Sequence, residues 1–197
     1  MKKLLITGFE PFGGETVNPS WLAVSSLPDT VGSFRLYKLQ LPTVYREASE
    51  AVIAAAEQTK ADVVLCIGQA GGRSAVTPEY AALNVRAAKL ADNKGVCLAG
   101  ERIAPDAPDG LFATVPVRKM TDAIRSVGLP GDISYHAGTF VCNDVLYSLL
   151  FHFRNSAVKV GFIHVPFLPE QATNGQPSLT LLEIAAALEA AILSMDE

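Results

Sequence analysis

Short apolar runs that end at glycine or proline alternate with longer segments of helical periodicity along most of this 197-residue sequence. Parallel strands are buried on both faces and are joined by crossover helices, so this alternation is typical of α/β proteins. It predicts an α/β/α sandwich with a twisted, mostly parallel central sheet. The predicted strands are Lys3–Thr7, Phe34–Gln40, Asp62–Ile67, Asp132–Tyr135 and Val158–Val165.

The longer segments between these runs are predicted to form the helices of the outer layers. Ser178 is the predicted N-cap of the last helix, because a serine hydroxyl accepts hydrogen bonds from the free amides of a first turn. The segment Tyr80–Ala107 alternates only weakly and contains several turn-forming residues, which predicts a hairpin or an irregular excursion. The predicted helices are Ser20–Leu27, Thr43–Lys60, Val117–Val127, Phe140–Phe153 and the segment from Ser178 to about Ser194.

Length and charge limit the possible classes of protein. At 197 residues the chain can form one sizeable core, and we predict a single domain over residues 1–197. A formal net charge of −4, with no dense run of Lys and Arg, argues against nucleic acid and membrane surfaces as partners. No apolar run approaches the roughly 20 residues of a membrane-spanning helix. We therefore predict a soluble protein.

The three cysteines, Cys66, Cys97 and Cys142, form no Cys-x-x-Cys pair. This number and spacing argue against a disulfide framework and against a cysteine zinc site. The sequence also lacks the Gly-x-Ser-x-Gly, Walker, dinucleotide-binding and His-Glu-x-x-His motifs. We predict free thiols in the reducing cytosol, with no metal and no cofactor.

Four polar stretches follow predicted strands or open a predicted helix. Ligands of open α/β sheets bind at the carboxyl ends of the strands, where helix N-termini present free amides. Residues in these stretches are therefore the first candidates for chemistry. The stretches are Gly8–Gly14, Gly68–Arg73, Gly138–Asn143 and His164–Pro169.

Cys142 lies near the start of a predicted helix, where the helix dipole and free amides lower the pKa of a thiol and favour the nucleophilic thiolate. The alternative is a small buried hydrophobe, the more usual role of a free cysteine. That alternative is favoured for Cys66, which lies inside an apolar run, and Cys97 has no neighbouring feature that would activate it. Cys142 is thus the candidate nucleophile.

His164 ends an apolar strand, where an imidazole can face the cleft and accept a proton from a thiol. A satisfied core histidine is the alternative, and His136 and His152 are weaker candidates for the base. Glu79 is a candidate to orient the imidazole, as the third member of a triad does, or else a solvated carboxylate. The three residues are far apart in sequence, which a triad permits because geometry defines it.

Taken together, these stretches resemble the pyroglutamyl-peptidase I family, the pyrrolidone carboxylate peptidases, from Leu4 to the final helix. The motifs occur in the order and approximate spacing of that family. They are Thr7–Gly14 with Asn18 and Pro19, Leu41–Thr43, Gly68–Arg73, Glu79, Asp92 and Asn93, Gly138–Asn143 and Ile163–Gln171.

The resemblance implies a phosphorylase/hydrolase-like sandwich and a cysteine peptidase that cleaves after an N-terminal pyroglutamyl residue through a thioester acyl-enzyme. Cys142 is then the nucleophile, His164 the general base and later acid, and Glu79 the residue that orients His164. The resemblance also implies a homo-oligomer, often a tetramer. The implied lactam pocket consists of Phe9, Phe12 and Phe140, with Gln69 for the ring amide and Thr43, Leu90 and Val141 as further wall.

Several positions depart from the usual family pattern. Lys89 stands where an arginine that binds substrate or the oxyanion is expected, which keeps the charge and loses the planar fork. Arg86 and Ala87 replace a more polar or acidic pair, and Asp144 lies where a histidine is common. These departures bear on rate and peptide preference more than on reaction type.

Two functions of other classes compete with this hypothesis. A phosphorylase-like transferase would use Gly68–Arg73 as a phosphate cradle, with backbone amides and Arg73 as ligands. A non-catalytic protein would keep the pocket and bind pyroglutamyl or similar lactams. The first leaves Cys142 and His164 without a role, and intact triad residue types argue against the second.

Overall fold

A computed structural model describes residues 1–196. Its helices are α1 (Pro19–Ser26), α2 (Glu47–Thr59), α3 (Val117–Ser126), α4 (Val141–His152) and α5 (Leu181–Leu193). Its strands are β1 (Lys2–Phe9), β2 (Thr30–Val31), β3 (Phe34–Leu41), β4 (Val63–Gln69), β5 (Thr77–Pro78), β6 (Ala81–Leu83), β7 (Arg86–Ala87), β8 (Ala99–Glu101), β9 (Gly110–Phe112) and β10 (Lys159–Val165).

The central sheet has the strand order β2-β3-β1-β4-β10-β5. The four middle strands are parallel, and the two-residue strands at either edge are antiparallel to their neighbours. Each crossover between parallel strands places a helix on one face of the sheet. The prediction of a mostly parallel α/β sandwich is confirmed.

Two apolar cores lie on opposite faces of this sheet. Side chains alternate between the faces along each strand, so Leu4 and Ile6 enter one core while Leu5 enters the other. Helices α1, α3 and α5 cover the first face, and α2 and α4 cover the second. Burial on both faces explains why the middle strands are continuous apolar runs in the sequence. No helix within residues 1–196 combines the length and apolarity needed to cross a membrane.

The segment after Glu79 leaves the sandwich and forms two small sheets, in which β6 pairs with β9 and β7 with β8. The prediction of a hairpin or irregular excursion is confirmed for this segment. Asn143 of α4 fixes it in place. The Asn143 side chain accepts a hydrogen bond from the amide of Leu83 and donates to the carbonyls of Leu83 and Val85, over 2.8 to 2.9 Å.

Three local predictions are wrong. Asp132–Tyr135 is not a strand, because Ser134 forms only an isolated bridge with Glu79. Thr180, not Ser178, caps α5, since its hydroxyl accepts from the amide of Glu183 while the Glu183 carboxylate accepts from the amide of Thr180.

The third wrong prediction is the start of α2, which lies at Glu47 and not at Thr43. The backbone amides before it donate to side chains elsewhere, that of Thr43 to Glu10 and that of Tyr45 to Asp92. Arg46 has a φ of 66°, outside the helical region. Long-range hydrogen bonds therefore replace the first helical turn.

Candidate active site

A chain of charged side chains lies at the carboxyl end of β10. Nδ1 of His164 is 2.6 Å from Oε1 of Glu79, and Nη1 of Arg73 donates to the same oxygen over 2.8 Å. Glu79 is wholly buried and His164 is 4% exposed, whereas Arg73 is partly exposed. The pairing of β5 with β10 produces this contact, because Thr77 lies opposite His164 and Glu79 follows directly after β5.

The carboxyl group of Glu79 is held in its ionised form. Burial opposes the charge, but the hydrogen bond and the charge of His164, followed by Ser134 and Arg73, outweigh burial and lower the pKa of Glu79. An ionised carboxylate only accepts hydrogen bonds, so Nδ1 of His164 carries a proton, and Nε2 is the nitrogen that can accept one in the neutral imidazole. The second carboxylate oxygen, Oε2, has no hydrogen-bond partner among residues 1–196.

Cys142 is the second residue of α4, and its sulfur packs onto the sheet at Gly68. A Cβ atom at position 68 would lie 2.9 Å from Cys142 Sγ and 2.8 Å from the ring of Phe162, so glycine is needed to make room for the thiol. Gly68 of β4 is also the residue that pairs with His164 of β10. The strand register therefore brings the thiol and the imidazole to the same place on the sheet.

The surroundings of Cys142 favour the neutral thiol over the thiolate. Burial, followed by the negative charge of Glu79, raises the pKa of Cys142 to about 12. The expectation of a lowered pKa at the helix N-terminus is wrong, because removal of the thiolate from water outweighs the favourable helix end. A nucleophilic role for Cys142 would therefore require a base to take its proton.

Cys142 and His164 line one cavity of about 120 Å³. The rings of Phe12 and Phe140 lie 5.9 Å apart in its wall, and Tyr45 packs edge-on against Phe140 with a centroid distance of 5.5 Å. Its lining is therefore mainly aromatic around a few polar groups. The lining residues are Phe9, Phe12, Asn18, Thr43, Gln69, Ala137, Gly138, Thr139, Phe140, Cys142 and His164.

The structure brings most of the predicted pocket residues together, and places three outside the lining. Val141 is fully buried in the core beneath α4. Lys89 is exposed on the excursion, and Leu90 beside it is 46% exposed. Leu90 lies against the loop that follows β1, since its side chain would be 3.5 Å from a Cβ atom at Gly13.

Sequence reasoning did not assign several residues that the structure places at this site. Arg73 was considered only as a phosphate ligand, but its guanidinium donates to Glu79 and Thr77. Asn18 and Thr139 line the cavity without having been predicted there. Arg73 lies in the polar stretch after β4, and Asn18 and Thr139 lie at the starts of α1 and α4, so position at a strand end or a helix start was the signal that could have identified them.

Two of the departures from the family pattern are partners in one buried ion pair. Nε and Nη2 of Arg86 both lie 2.7 Å from Oδ1 of Asp144, and the amide of Arg46 donates to Oδ2 over 2.8 Å. Asp144 is wholly buried and the Arg86 side chain is 6% exposed. The pair joins the excursion to the helix that carries Cys142.

The remaining histidines and cysteines lie outside the cavity. His136 is exposed and accepts from the amide of Gly138, and His152 is exposed and contacts Glu57. Cys66 is buried in β4 and Cys97 is exposed. No group of three or more His, Cys, Asp or Glu side chains within residues 1–196 is arranged to hold a metal ion.

A family model described as pyroglutamyl peptidase matches residues 2–197 of the chain. The pyrrolidone-carboxylate peptidase of Lactobacillus helveticus is 44% identical over 193 residues, which cover 96% of each chain. The pyrrolidone-carboxylate peptidase of Escherichia fergusonii is 45% identical over 98% of this chain and 92% of the relative. These matches extend over almost the whole sequence.

Solved structures agree with the sequence relatives. The crystal structure of Bacillus amyloliquefaciens pyroglutamyl peptidase I superposes with a TM-score of 0.95 at 39% identity, covering 99% of this chain and 97% of that one. Pyrrolidone carboxyl peptidase from Thermococcus litoralis gives a TM-score of 0.94 at 36% identity, covering 99% and 93%. The phosphorylase-like and non-catalytic hypotheses receive no support from any of these relatives.

Proposed function

The chain belongs to the pyroglutamyl peptidase family, and we propose that Cys142, His164 and Glu79 are the catalytic triad with which it removes an N-terminal pyroglutamyl residue from peptides. One observation carries the proposal. The 2.6 Å contact of His164 with Glu79 leaves Nε2 free as a base, at the cavity that Cys142 also lines.

Proton transfer begins the reaction, because the resting thiol is neutral. The proton of Cys142 passes to Nε2 of His164 as the sulfur attacks the scissile carbonyl carbon. The buried carboxylate of Glu79 stabilises the imidazolium that forms. The pKa raised to about 12 makes Cys142 a strong nucleophile once deprotonated and a poor one until His164 acts.

The acyl-enzyme forms and breaks down with His164 in two roles. As the C–N bond breaks, the imidazolium gives its proton to the departing amine of the shortened peptide, which leaves a thioester between Cys142 and the pyroglutamyl group. His164 then takes a proton from water, whose oxygen attacks the thioester carbon. Release of free pyroglutamic acid returns the proton to the thiolate of Cys142.

The first turn of α4 is the natural place for the oxyanion of each tetrahedral intermediate. The first amides of a helix have no acceptor within it, and their dipoles favour negative charge. The N–H of Cys142 lies in this turn. We assign it as a donor to the oxyanion, a kind of interaction that gives large rate effects in acyl transfer.

The cavity suits a neutral five-membered lactam. The rings of Phe9, Phe12 and Phe140 offer apolar surfaces to the ring faces, and Gln69 offers an amide to its polar edge. An N-terminal proline has a similar ring but carries a charged amine and no ring carbonyl. A site that hydrogen-bonds the lactam rejects proline, because buried polar groups of the site stay unpaired.

Location and assembly are further parts of the proposal. Three free cysteines, one of them the exposed Cys97, suit a reducing cytoplasm. We expect a homo-oligomer, with a tetramer as the form to test by light scattering. Residues 1–197 are expected to act as one catalytic domain.

Release of a fluorophore from a pyroglutamyl amide tests the function, with the matching prolyl amide as a second substrate. We expect turnover of the pyroglutamyl compound alone, and its loss in Cys142→Ser. The matched control is Cys97→Ser, which removes a thiol outside the cavity and should retain full activity. Equal turnover in Cys142→Ser, or hydrolysis of the prolyl amide at a similar rate, would contradict the proposal.

A further inference from the structure

Gln171 connects three segments around the cavity without lining it. The two N–H groups of its Nε2 are shared among three acceptors: Oε1 of Gln69 at 3.1 Å, Oε2 of Glu15 at 3.2 Å and the carbonyl of Val17 at 3.3 Å. Its Oε1 accepts from the amide of Leu168 over 3.1 Å. The residue is only 8% exposed, so these contacts compete little with water.

The orientation of the Gln171 amide is fixed by groups that have one hydrogen-bonding role each. The backbone N–H of Leu168 can only donate, so the group beside it must be the oxygen of Gln171. The Val17 carbonyl and the Glu15 carboxylate can only accept, so the group beside them must be the NH₂. Rotation of the amide by 180° would break both sets of contacts.

The orientation of the Gln171 amide also fixes the orientation of the Gln69 amide. Because the NH₂ of Gln171 faces it, the Gln69 group at that contact must be its carbonyl oxygen. The Nε2 of Gln69 has no hydrogen-bond partner among residues 1–196, and Gln69 lines the cavity. The NH₂ of Gln69 is thus the end of the amide left for a ligand.

We propose that Gln171 is a positioning residue for substrate specificity: it holds Gln69 with its NH₂ toward the cavity, where this group donates to the ring carbonyl of the lactam. The role rests on the proposed function, because the lactam is its ligand. Gln171 touches neither the substrate nor the reacting atoms. Its effect is therefore on binding of the pyroglutamyl ring, and the chemistry of Cys142 is unchanged.

A double-mutant cycle tests the coupling. Gln171→Met removes the contact with Gln69 and keeps the length of the side chain. We expect KM for the pyroglutamyl amide to rise roughly fivefold to tenfold, the size expected for one lost hydrogen bond, with kcat changed by less than about twofold. In a Gln69→Ala background the same change at Gln171 should have almost no effect on KM, because the group that it positions is gone.

The control is Gln176→Met, which alters a glutamine on the exposed turn with Thr173 and should leave KM unchanged. Equal effects of Gln171→Met with and without Gln69 would show a general structural role and overturn the proposal. This failure is distinct from failure of the proposed function, in which the unmodified protein itself would not hydrolyse the pyroglutamyl amide.

Two small inhibitors test which end of the Gln69 amide faces the ligand. Both 2-pyrrolidone and cyclopentanone carry the ring carbonyl, but only 2-pyrrolidone carries the N–H. If Gln69 donates to the carbonyl, Gln171→Met should raise the inhibition constants of both by similar factors. A rise for 2-pyrrolidone alone would mean that Gln69 accepts from the ring N–H, which would overturn the assigned orientation.

Discussion

Two side-chain carboxylates within residues 1–196 are wholly buried, and they differ in how completely they are paired. Oδ1 of Asp144 accepts a hydrogen bond from Nε of Arg86 and lies in ion-pair contact with Nη2, and Oδ2 accepts from the amide of Arg46. In Glu79 one oxygen is shared by His164 and Arg73, and the other has no partner among residues 1–196. Both oxygens of Asp144 are therefore paired, whereas only one oxygen of Glu79 is.

The difference follows from what each carboxylate must do. Fixed donors to both oxygens suit Asp144, which joins α4 to the excursion. A buried charge is tolerated only when its hydrogen bonds are made. In the mechanism that we propose, Glu79 instead faces an imidazole whose charge changes during the reaction. Incomplete pairing of a buried group beside a cavity therefore indicates function, whereas complete pairing indicates structure.

Glu79→Gln should have the largest effect on activity. The amide NH₂ of glutamine can donate to Nδ1 of His164, which moves the imidazole proton to Nε2 and removes the base. We expect kcat to fall by roughly 10³- to 10⁴-fold, with a much smaller change in thermal unfolding. Steady-state kinetics beside a melting curve measure both. If the loss of activity only followed a loss of folded protein, Glu79 would have a structural role like that of Asp144.

Asp144→Asn should reverse that pattern. It leaves Arg86 charged and buried without a counterion, which costs about 3–5 kcal/mol in the free energy of unfolding. The folded fraction should keep most of its kcat. Urea denaturation checks the prediction, with Arg86→Met/Asp144→Leu as the matched control, which should be more stable than Asp144→Asn because it leaves no unpaired charge.

The negative charge of Glu79 contributes to the raised pKa of the Cys142 thiol. In a Cys97→Ser/His164→Gln protein no histidine assists Cys142, and the thiolate fraction should grow about tenfold for each pH unit below a pKa of about 12. Alkylation by iodoacetamide should therefore accelerate from pH 7 to pH 10 without a plateau. Adding Glu79→Gln removes a negative charge that raises this pKa, so alkylation at a fixed pH should become faster. A plateau near neutral pH would contradict the assigned pKa.

Arg73→Met should give the smallest change. The guanidinium is one of the groups that lower the pKa of Glu79, so its removal raises that pKa. Glu79 then becomes protonated at a higher pH, and the acid limb of the kcat/KM profile should move upward, with a loss of only severalfold near pH 7. Arg73→Lys keeps the charge and should shift the limb less. An unchanged profile would show that His164 alone sets the state of Glu79.

Much of the fold could be predicted because strands buried on both faces appear as apolar runs. The boundaries that failed depend on partners far away in sequence. The sequence predicts a helix at Thr43 and Tyr45, but their backbone amides donate hydrogen bonds to the carboxylates of Glu10 and Asp92. Such contacts leave no local periodicity in the sequence.

At the candidate site, residue types were easier to predict than their electrostatics. The resemblance implies catalytic roles for Cys142, His164 and Glu79, and the structure brings these three residues to one end of the sheet. The pKa of Cys142 was expected in the wrong direction, because the sequence indicates a helix start at Cys142 but not that the sulfur packs against Gly68 of β4. Likewise Arg86 and Asp144, 58 positions apart, were treated as separate departures although they are one contact.

That contact also constrains how the sequence can change over time. A lineage that altered either Arg86 or Asp144 alone would pass through an intermediate with an unpaired buried charge, and selection would remove most such intermediates. Substitutions at these two positions are therefore expected to occur together. Relatives with another residue at one position should carry a compensating residue at the other, and chimeras that exchange only one of the two segments should express poorly.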